Sequence, residues 1–112
     1  LAVGLLGGLY TPDRPAPSGT LWGNRTKVEY NEAVQGAPGE VMSTLQALAS
    51  ERGKTPAQLA LAWVLSHSEI TVAISGADTV DHLKDNLGAL GWTLDDEARG
   101  KLDAVSAPLN PV

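Results

Sequence analysis

Two short runs of apolar residues constrain the fold of this chain more than any other feature of its sequence. Leu1 to Leu6 is apolar apart from one glycine, and Ile70 to Ile74 is rich in β-branched side chains. Both compositions are typical of strands buried on both faces, as in parallel sheets. Because helical segments separate the runs, we expect parallel pairing through crossovers and an α/β fold. Two strands with open edges are at best marginally stable, so we expect roughly the last quarter or third of a larger α/β domain.

The periodicity of the apolar residues predicts four helices, in which apolar side chains recur every three or four positions. The second helix opens with a capping box and a proline at its first position, and its apolar residues lie almost all round, which indicates an interior layer. Trp63 and Trp92 lie among such residues and are assigned to core packing. The predicted ranges are about Glu40 to Glu51, Thr55 to Ser66, Asp78 or Thr79 to Leu90, and Thr93 to Val105.

The segment from Gly7 to Pro38 is predicted to be a long loop. It contains four prolines and many Gly, Ser, Thr and Asn residues, and neither helical nor strand periodicity is visible in it. Loops of this length inside compact domains tend to be lids, binding loops or disordered segments. The length of the segment is therefore a hint of function.

Charge and composition exclude several classes of function. The net charge is -5 and the eight Lys and Arg residues are scattered, so we expect no nucleic acid partner. The chain has no cysteine, which excludes disulfides, a thiolate metal site and a Cys nucleophile, and no metal is expected. Charged, Pro or Gly residues break every apolar run, so we expect no membrane span and a cytoplasmic location. The start at Leu1, without a signal-peptide pattern, indicates a truncation.

The turn after the second predicted strand is the best candidate for a ligand site. Ile74 to Thr79 joins a strand to a helix, and Gly76 allows a ligand to approach the backbone closely. Such turns present free N–H groups and the positive end of the helix dipole, a combination that suits phosphate. His82, Asp85 and Asn86 follow at helical spacing on a face that points back toward the turn. The alternative is an ordinary helix cap followed by surface residues.

Four motifs in this order resemble the C-terminal part of the aldo-keto reductase family. The stretch from Ile74 to Leu87 is similar to the family's C-terminal signature, which ends in an acidic-Asn pair. Leu1 to Tyr10 resembles the motif of the seventh strand, Thr55 to Trp63 the helix between the last two strands, and Ala89 to Leu94 the closing segment. Together they cover nearly the whole chain at family spacing, which is far more specific than any single glycine pattern.

The resemblance implies that residues 1–112 are a C-terminal fragment of a (β/α)8 TIM barrel, with its last two strands, their helices and the long cofactor and substrate loop 7–38. It also implies an oxidoreductase that reduces aldehydes and ketones with NADPH. Packing is the alternative role for the strand residues, and a solvated charge for the loop arginine. The implied cofactor-binding residues are Leu1, Gly4 and Leu6 at the pyrophosphate and nicotinamide end, Arg25 in the loop, and Gly76, Ala77, Asp78, Thr79, His82, Asp85 and Asn86 at the adenosine end.

Two features depart from the family pattern. The family's catalytic Asp, Tyr, Lys and His lie upstream of Leu1, and neither Tyr10 nor Tyr30 matches the motif of the proton donor, so the chain alone is predicted to be inactive. Asp78 stands where many relatives carry Arg, Lys or Ser near the ribose 2′-phosphate. A carboxylate there repels phosphate and accepts from a ribose hydroxyl, which admits NADH as a cofactor, unless Asp78 only caps the helix.

Two other functions stay open. A nucleotide-binding regulatory subunit of the same fold would sense redox state without turnover, and an inactive fragment would have no function. An intact upstream set of catalytic residues would favour the enzyme over the regulatory subunit.

Overall fold

Helices make up all of the regular structure in residues 2–109, which are the residues that the computed structural model describes. No strand occurs among them, and none of their helices is long and apolar enough to cross a membrane. The α-helices are α1 (Lys27–Val34), α2 (Gly36–Glu51), α3 (Pro56–Leu65), α4 (Val80–Leu87) and α5 (Asp96–Ser106), and 3₁₀ turns span Leu5–Gly7 and Ala107–Leu109.

Two of the last three helices, α3 and α4, begin where the sequence predicts. Thr55 caps α3 through a capping box: its hydroxyl accepts from the Gln58 N–H at 3.2 Å, and its own N–H donates to the Gln58 side chain at 3.1 Å. The side chains of Thr79 and Asp95 cap α4 and α5. Each cap satisfies an N–H group that has no partner within the helix. The predicted starts of α3 and α4 are therefore confirmed, whereas α5 begins at Asp96, three residues after the predicted start at Thr93.

The main core lies between α2, α3 and α5. Leu59 of α3 and Leu102 of α5 have no exposed surface, and Leu45 of α2 is almost fully buried. Trp63 and Trp92 are partly buried and pack against this cluster, as predicted. Full burial of one such aliphatic side chain contributes about 1.5–3 kcal/mol, so the contact between these helices stabilises the described structure more than any other.

A second cluster attaches the N-terminal segment to α2. Tyr10 and Tyr30 pack edge to face, with their ring centroids 6.0 Å apart. Both belong to the same buried cluster as Met42 of α2. The Tyr30 hydroxyl donates toward the carbonyl oxygens of Thr11 and Arg14, at 3.0 and 3.2 Å. The residues between the two tyrosines are therefore held as a closed loop against the helices.

The first predicted strand is wrong for the described residues. Ala2 and Val3 have left-handed φ values of 52° and 57°, and Leu5–Gly7 forms a 3₁₀ turn. A left-handed φ is an outlier for a β-branched residue, so this backbone is strained at Val3. A parallel strand needs hydrogen bonds from neighbouring strands, and residues 2–109 supply none. The apolar side chain of Leu6 instead packs against the helical core.

The second predicted strand, Ile70 to Ile74, is also wrong. Residues 72–77 have no regular structure, and the side chains of Val72 and Ile74 are 71% and 98% exposed. The reason is again the missing partner: a strand that is apolar on both faces is stable only where sheet neighbours and helices cover it. The composition of a buried strand is present here without the sheet that would bury it.

The predicted loop 7–38 contains more structure than its sequence suggests. Helix α1 lies inside it, and α2 begins at Gly36 rather than near Glu40. Thr26 and Glu29 form a capping box at the start of α1, and the helix buries only Tyr30 and Val34, four residues apart. Two buried positions are too few to give a visible apolar period, which is why periodicity missed this helix.

Leu102→Ala is expected to lower the free energy of unfolding by about 2–5 kcal/mol, because the substitution removes packed atoms from a closed core. Leu83→Ala is the matched control, because it removes the same atoms from a side chain that is 50% exposed. We expect this variant to lose less than about 1 kcal/mol of unfolding free energy. Urea unfolding followed by tryptophan fluorescence measures both values. Equal losses in the two variants would contradict the assignment of the core to α2, α3 and α5.

An ion pair joins the end of α2 to the start of α5. The Arg52 guanidinium donates to both carboxylate oxygens of Asp95, at 2.6 and 2.9 Å, and Asp95 also accepts from the Ala98 N–H at 3.1 Å. The bonds from Arg52, followed by the backbone bond from Ala98, hold the pKa of Asp95 well below its ordinary value. The two-pronged geometry fixes the relative position of two core helices at their solvent edge.

Asp95→Asn is expected to make the free energy of unfolding fall less steeply as the pH decreases. Because folding lowers the pKa of Asp95, its contribution is fully present above the unfolded pKa of about 4 and is lost as the pH falls toward the lower folded pKa. Asn still caps a helix but cannot ionise, so the variant lacks this contribution at every pH and does not show its loss between about pH 4 and pH 2. Denaturant midpoints over this range provide the measurement, with Asp96→Asn as the control. Parallel curves for wild type and Asp95→Asn would contradict the prediction.

Candidate functional site

The turn before α4 brings together four of the predicted cofactor-binding residues. The Asn86 side-chain amide donates to the carbonyl oxygen of Gly76 at 3.1 Å, which closes the turn over the helix. The Thr79 hydroxyl accepts from the His82 N–H at 3.0 Å. Residues 76–79 and His82 are exposed, and Asn86 is half-buried. The arrangement is a small closed turn at the N-terminus of a helix, open to a ligand from solvent.

The electrostatics of this turn are mixed. The first-turn N–H groups of α4 that its cap does not use point out of the helix end, where the dipole is positive. Asp78 in the turn and Asp81 in the first turn of α4 add negative charge at the same end. An anion would meet favourable backbone N–H groups and unfavourable carboxylates, whereas a hydroxyl could donate to the carboxylates and accept from the N–H groups.

Asp85 belongs to the predicted set, but its carboxylate is already engaged by α3. The Thr55 hydroxyl donates to Asp85 Oδ2 at 3.0 Å. The Gln58 side-chain amide donates to the Asp85 carbonyl oxygen at 2.9 Å and to Oδ1 at 3.3 Å. Sequence reasoning missed Thr55 and Gln58 as members of this cluster, because it recognised them only as the cap of α3.

The N-terminal members of the predicted set lie among residues 4–25. Gly4 has a left-handed φ of 87° and approaches the ring of Tyr10, and Leu6 packs against both apolar clusters. The Arg25 guanidinium lies over the ring of Trp22, 5.0 Å from its centroid. Leu1, also predicted to bind cofactor, lies outside the described residues.

Arg25 lines a cleft of about 480 Å³ formed by the predicted long loop and the start of α1. Arg14 and Lys27 line the same cleft, so three cationic residues and one anionic residue, Asp13, contribute to it, together with the aromatic residues Trp22 and Tyr30. Sequence reasoning named only Arg25. The sequence separation of Arg14 from Lys27 hid the grouping, which depends on the loop folding back onto α1.

The described residues hold no candidate for a proton donor of the tyrosine type. Tyr10 is 4% exposed and Tyr30 is 5% exposed, and the Tyr30 hydroxyl is taken up by the backbone of the loop. Residues 2–109 also contain no group of three His, Cys, Asp or Glu side chains placed to hold a metal ion.

Comparison with known proteins identifies the family. A sequence model of the aldo/keto reductase family matches residues 1–107. The chain belongs to this family. Members of the family generally use a nicotinamide cofactor and act on carbonyl substrates. The resemblance inferred from the four sequence motifs is therefore confirmed at the level of the family.

Several relatives carry names of oxidoreductases. The chain is 41% identical over 64 residues to pyridoxine 4-dehydrogenase of Escherichia coli, a match that covers 57% of the chain and 22% of that protein. It is 40% identical over 63 residues to the chloroplastic pyridoxal reductase of Arabidopsis thaliana, covering 56% and 17%. An uncharacterised oxidoreductase of Mycobacterium bovis is 34% identical over 119 aligned positions, covering 100% of the chain and 33% of that protein. The chain thus spans at most about a third of the length of these aldo/keto reductase relatives.

Proposed function

We propose that this chain is the C-terminal, cofactor-binding portion of an NADP(H)-dependent aldo/keto reductase built as a (β/α)8 barrel. The observation that carries the proposal is the closed turn from Gly76 to Thr79, held by Asn86 at the start of α4 within a chain of this family. Backbone N–H groups at such a turn suit the phosphates of a dinucleotide. The turn and α4 as far as Asn86 would hold the adenosine end of the cofactor.

The residues of the turn fit this cofactor chemically. The Asn86 amide uses one N–H on Gly76 and keeps a second N–H and its oxygen, the pair that an adenine edge requires. His82 is exposed and free to reach a ribose phosphate. Leu1, Gly4, Leu6 and Arg25 remain proposed contacts for the other end of the cofactor.

The exposed apolar residues support the proposal of a barrel. Val72 and Ile74 in the predicted strand, and Val80, Leu83 and Leu87 along α4, leave between 50% and 98% of their surface exposed. In a barrel, neighbouring strands would cover the first pair and adjacent helices would cover the others. Burial of these side chains would provide the driving force for joining the remaining β/α units.

In the whole enzyme, NADPH supplies a hydride to the carbonyl carbon of an aldehyde or ketone. The residues of this chain would bind and orient the cofactor, and neither Tyr10 nor Tyr30 would supply a proton to the developing alkoxide, because both are buried. Reduction needs a positioned proton donor, so we propose that the isolated chain is inactive and that the rest of the enzyme provides the acid.

Nucleotide titration of the 112-residue chain tests the proposed site. We expect saturable quenching of tryptophan fluorescence by NADPH or NADH, together with the far-UV circular dichroism of a helical chain. A helical chain that binds neither nucleotide would contradict the proposed adenosine site. A chain without helical signal would instead mean that even the helices need the rest of the barrel, and the titration would then be made on the complete enzyme.

Asp78→Arg is expected to shift cofactor preference toward NADPH. The exposed carboxylate of Asp78 stands before α4, where it repels a ribose 2′-phosphate, and a guanidinium would pair with that phosphate. We expect the ratio of NADH to NADPH dissociation constants to rise by about tenfold. Asp96→Arg, the same charge change in the first turn of α5, is the control and should leave the ratio unchanged. No change in the ratio for Asp78→Arg would mean that Asp78 points away from the cofactor.

A further inference from the structure

The cleft between the predicted long loop and α1 is built from one short stretch of chain. All of its lining residues lie between Pro12 and Asn31, so the cleft does not depend on the predicted strands. Its first wall is fixed against α1 by the Tyr30 hydroxyl, which donates to the carbonyl oxygens of Thr11 and Arg14. A volume of about 480 Å³ falls within the range of about 300–1,000 Å³ that is typical of sites for small molecules.

The opposite wall of the cleft is closed by hydrogen bonds within the loop. The Thr20 hydroxyl donates to the Pro17 carbonyl oxygen at 2.6 Å and accepts from the Gly23 N–H at 3.1 Å. A Cβ atom at Gly23 would overlap the same carbonyl oxygen, so this close approach requires glycine. The Trp22 indole N–H donates to the Val3 carbonyl oxygen at 3.0 Å, which holds the ring at the cleft. The wall is therefore formed before any ligand arrives.

The cleft carries a local surplus of positive charge in an acidic chain. Arg14, Arg25 and Lys27 line it against one carboxylate, that of Asp13, whereas the whole chain has a net charge of -5. Within residues 2–109, none of these three cations forms an ion pair with a carboxylate. Their charge is therefore available to an anion that enters from solvent.

Two further contacts keep this positive charge at the cleft. The carboxylate of Glu29, in the first turn of α1, is occupied by Thr26, whose N–H and hydroxyl both donate to it at 2.9 Å. The Arg25 guanidinium lies over the ring of Trp22, 5.0 Å from its centroid, which restricts the orientations of this arginine. An anion in the cleft would thus meet cations beside an apolar aromatic wall.

We propose that this cleft binds the acidic group of the carbonyl substrate, so that the complete enzyme favours aldehydes or ketones that carry a carboxylate or a phosphate. The inference rests on the proposed reductase function and adds the class of its substrate. Arg25 is already a proposed contact of the cofactor, whereas Arg14 and Lys27 have no role there and are assigned to the substrate. Charge attraction from these two residues and apolar contact with Trp22 would provide the selectivity.

Arg14→Gln combined with Lys27→Gln in the complete enzyme tests the inference on a matched pair of substrates. 4-Carboxybenzaldehyde is anionic, and its methyl ester has the same ring and aldehyde without the charge. We expect the KM for the acid to rise by about tenfold, with kcat and the KM for the ester unchanged, because the lost attraction acts equally on the ground state and the transition state. Arg99→Gln combined with Lys101→Gln removes the same two residue types from α5 and should leave both KM values unchanged.

Asp13→Asn supplies a gain of affinity that misfolding could not imitate. The substitution removes the carboxylate of the cleft and leaves its three cations in place. We expect the KM for 4-carboxybenzaldehyde to fall by about twofold to fivefold at low salt, with the KM for the ester unchanged. A KM for the acid that stays constant or rises in Asp13→Asn would contradict the inference.

The dissociation constant of NADPH separates the two possible sources of an anion. We expect the Arg14→Gln and Lys27→Gln combination to leave this constant unchanged. Weaker NADPH binding with unchanged KM values for acid and ester would assign the cleft to the cofactor phosphates, and equal changes for acid and ester would exclude an acid site; either result overturns the inference. A wild-type enzyme that reduces neither aldehyde would count against the proposed function. Titration of its tryptophan fluorescence with 4-carboxybenzaldehyde would then still decide the inference, since saturable quenching lost in the double variant supports the cleft and absence of quenching overturns it.

Discussion

The burial of aliphatic side chains between α2, α3 and α5 is the interaction on which the rest of this structure depends. Leu59 and Leu102 meet in a region closed to solvent, and the Arg52–Asp95 ion pair fixes the same helices at their edge. The N-terminal loop packs on this unit through Tyr10 and Tyr30. Helix α4 is joined to it through the hydrogen bonds between Asp85 and α3. The hierarchy follows from energetics, because closed apolar packing contributes more than exposed polar contacts do.

How much of the fold could be predicted depended on whether its determinants are local. The starts of α3 and α4 were predictable, since Thr55 and Thr79 satisfy nearby N–H groups without help from distant residues. The two strands were predicted wrongly for residues 2–109, because the composition of Ile70 to Ile74 encodes burial by partners that those residues do not provide. Helix α1 was missed because it buries only two residues, too few to give a visible apolar period.

The candidate site, too, was predictable only where its contacts are local in sequence. Thr79, Asn86 and the turn could be named from spacing along one helix, and the structure brings them together. The partners of Asp85 could not, because they lie about thirty residues earlier, and no local rule links a capping box to a second helix. The grouping of Arg14 and Lys27 with Arg25 was hidden for the same reason: it depends on tertiary folding of the loop.

The attachment of α4 at one end makes the helix a lever. Its fixed points, Asp85, Gly88 and Ala89, lie at or beyond the C-terminal end, and Asn86 beside them also holds Gly76. Thr79, the cap of α4, lies at the opposite end, six positions before Asp85, which is about 9 Å of helix at about 1.5 Å per residue. A tilt of only about 6° at the fixed end would move Thr79 by about 1 Å over that length. A small change in the contacts between Asp85 and α3 is therefore enlarged at Thr79, the end of the turn that joins α4.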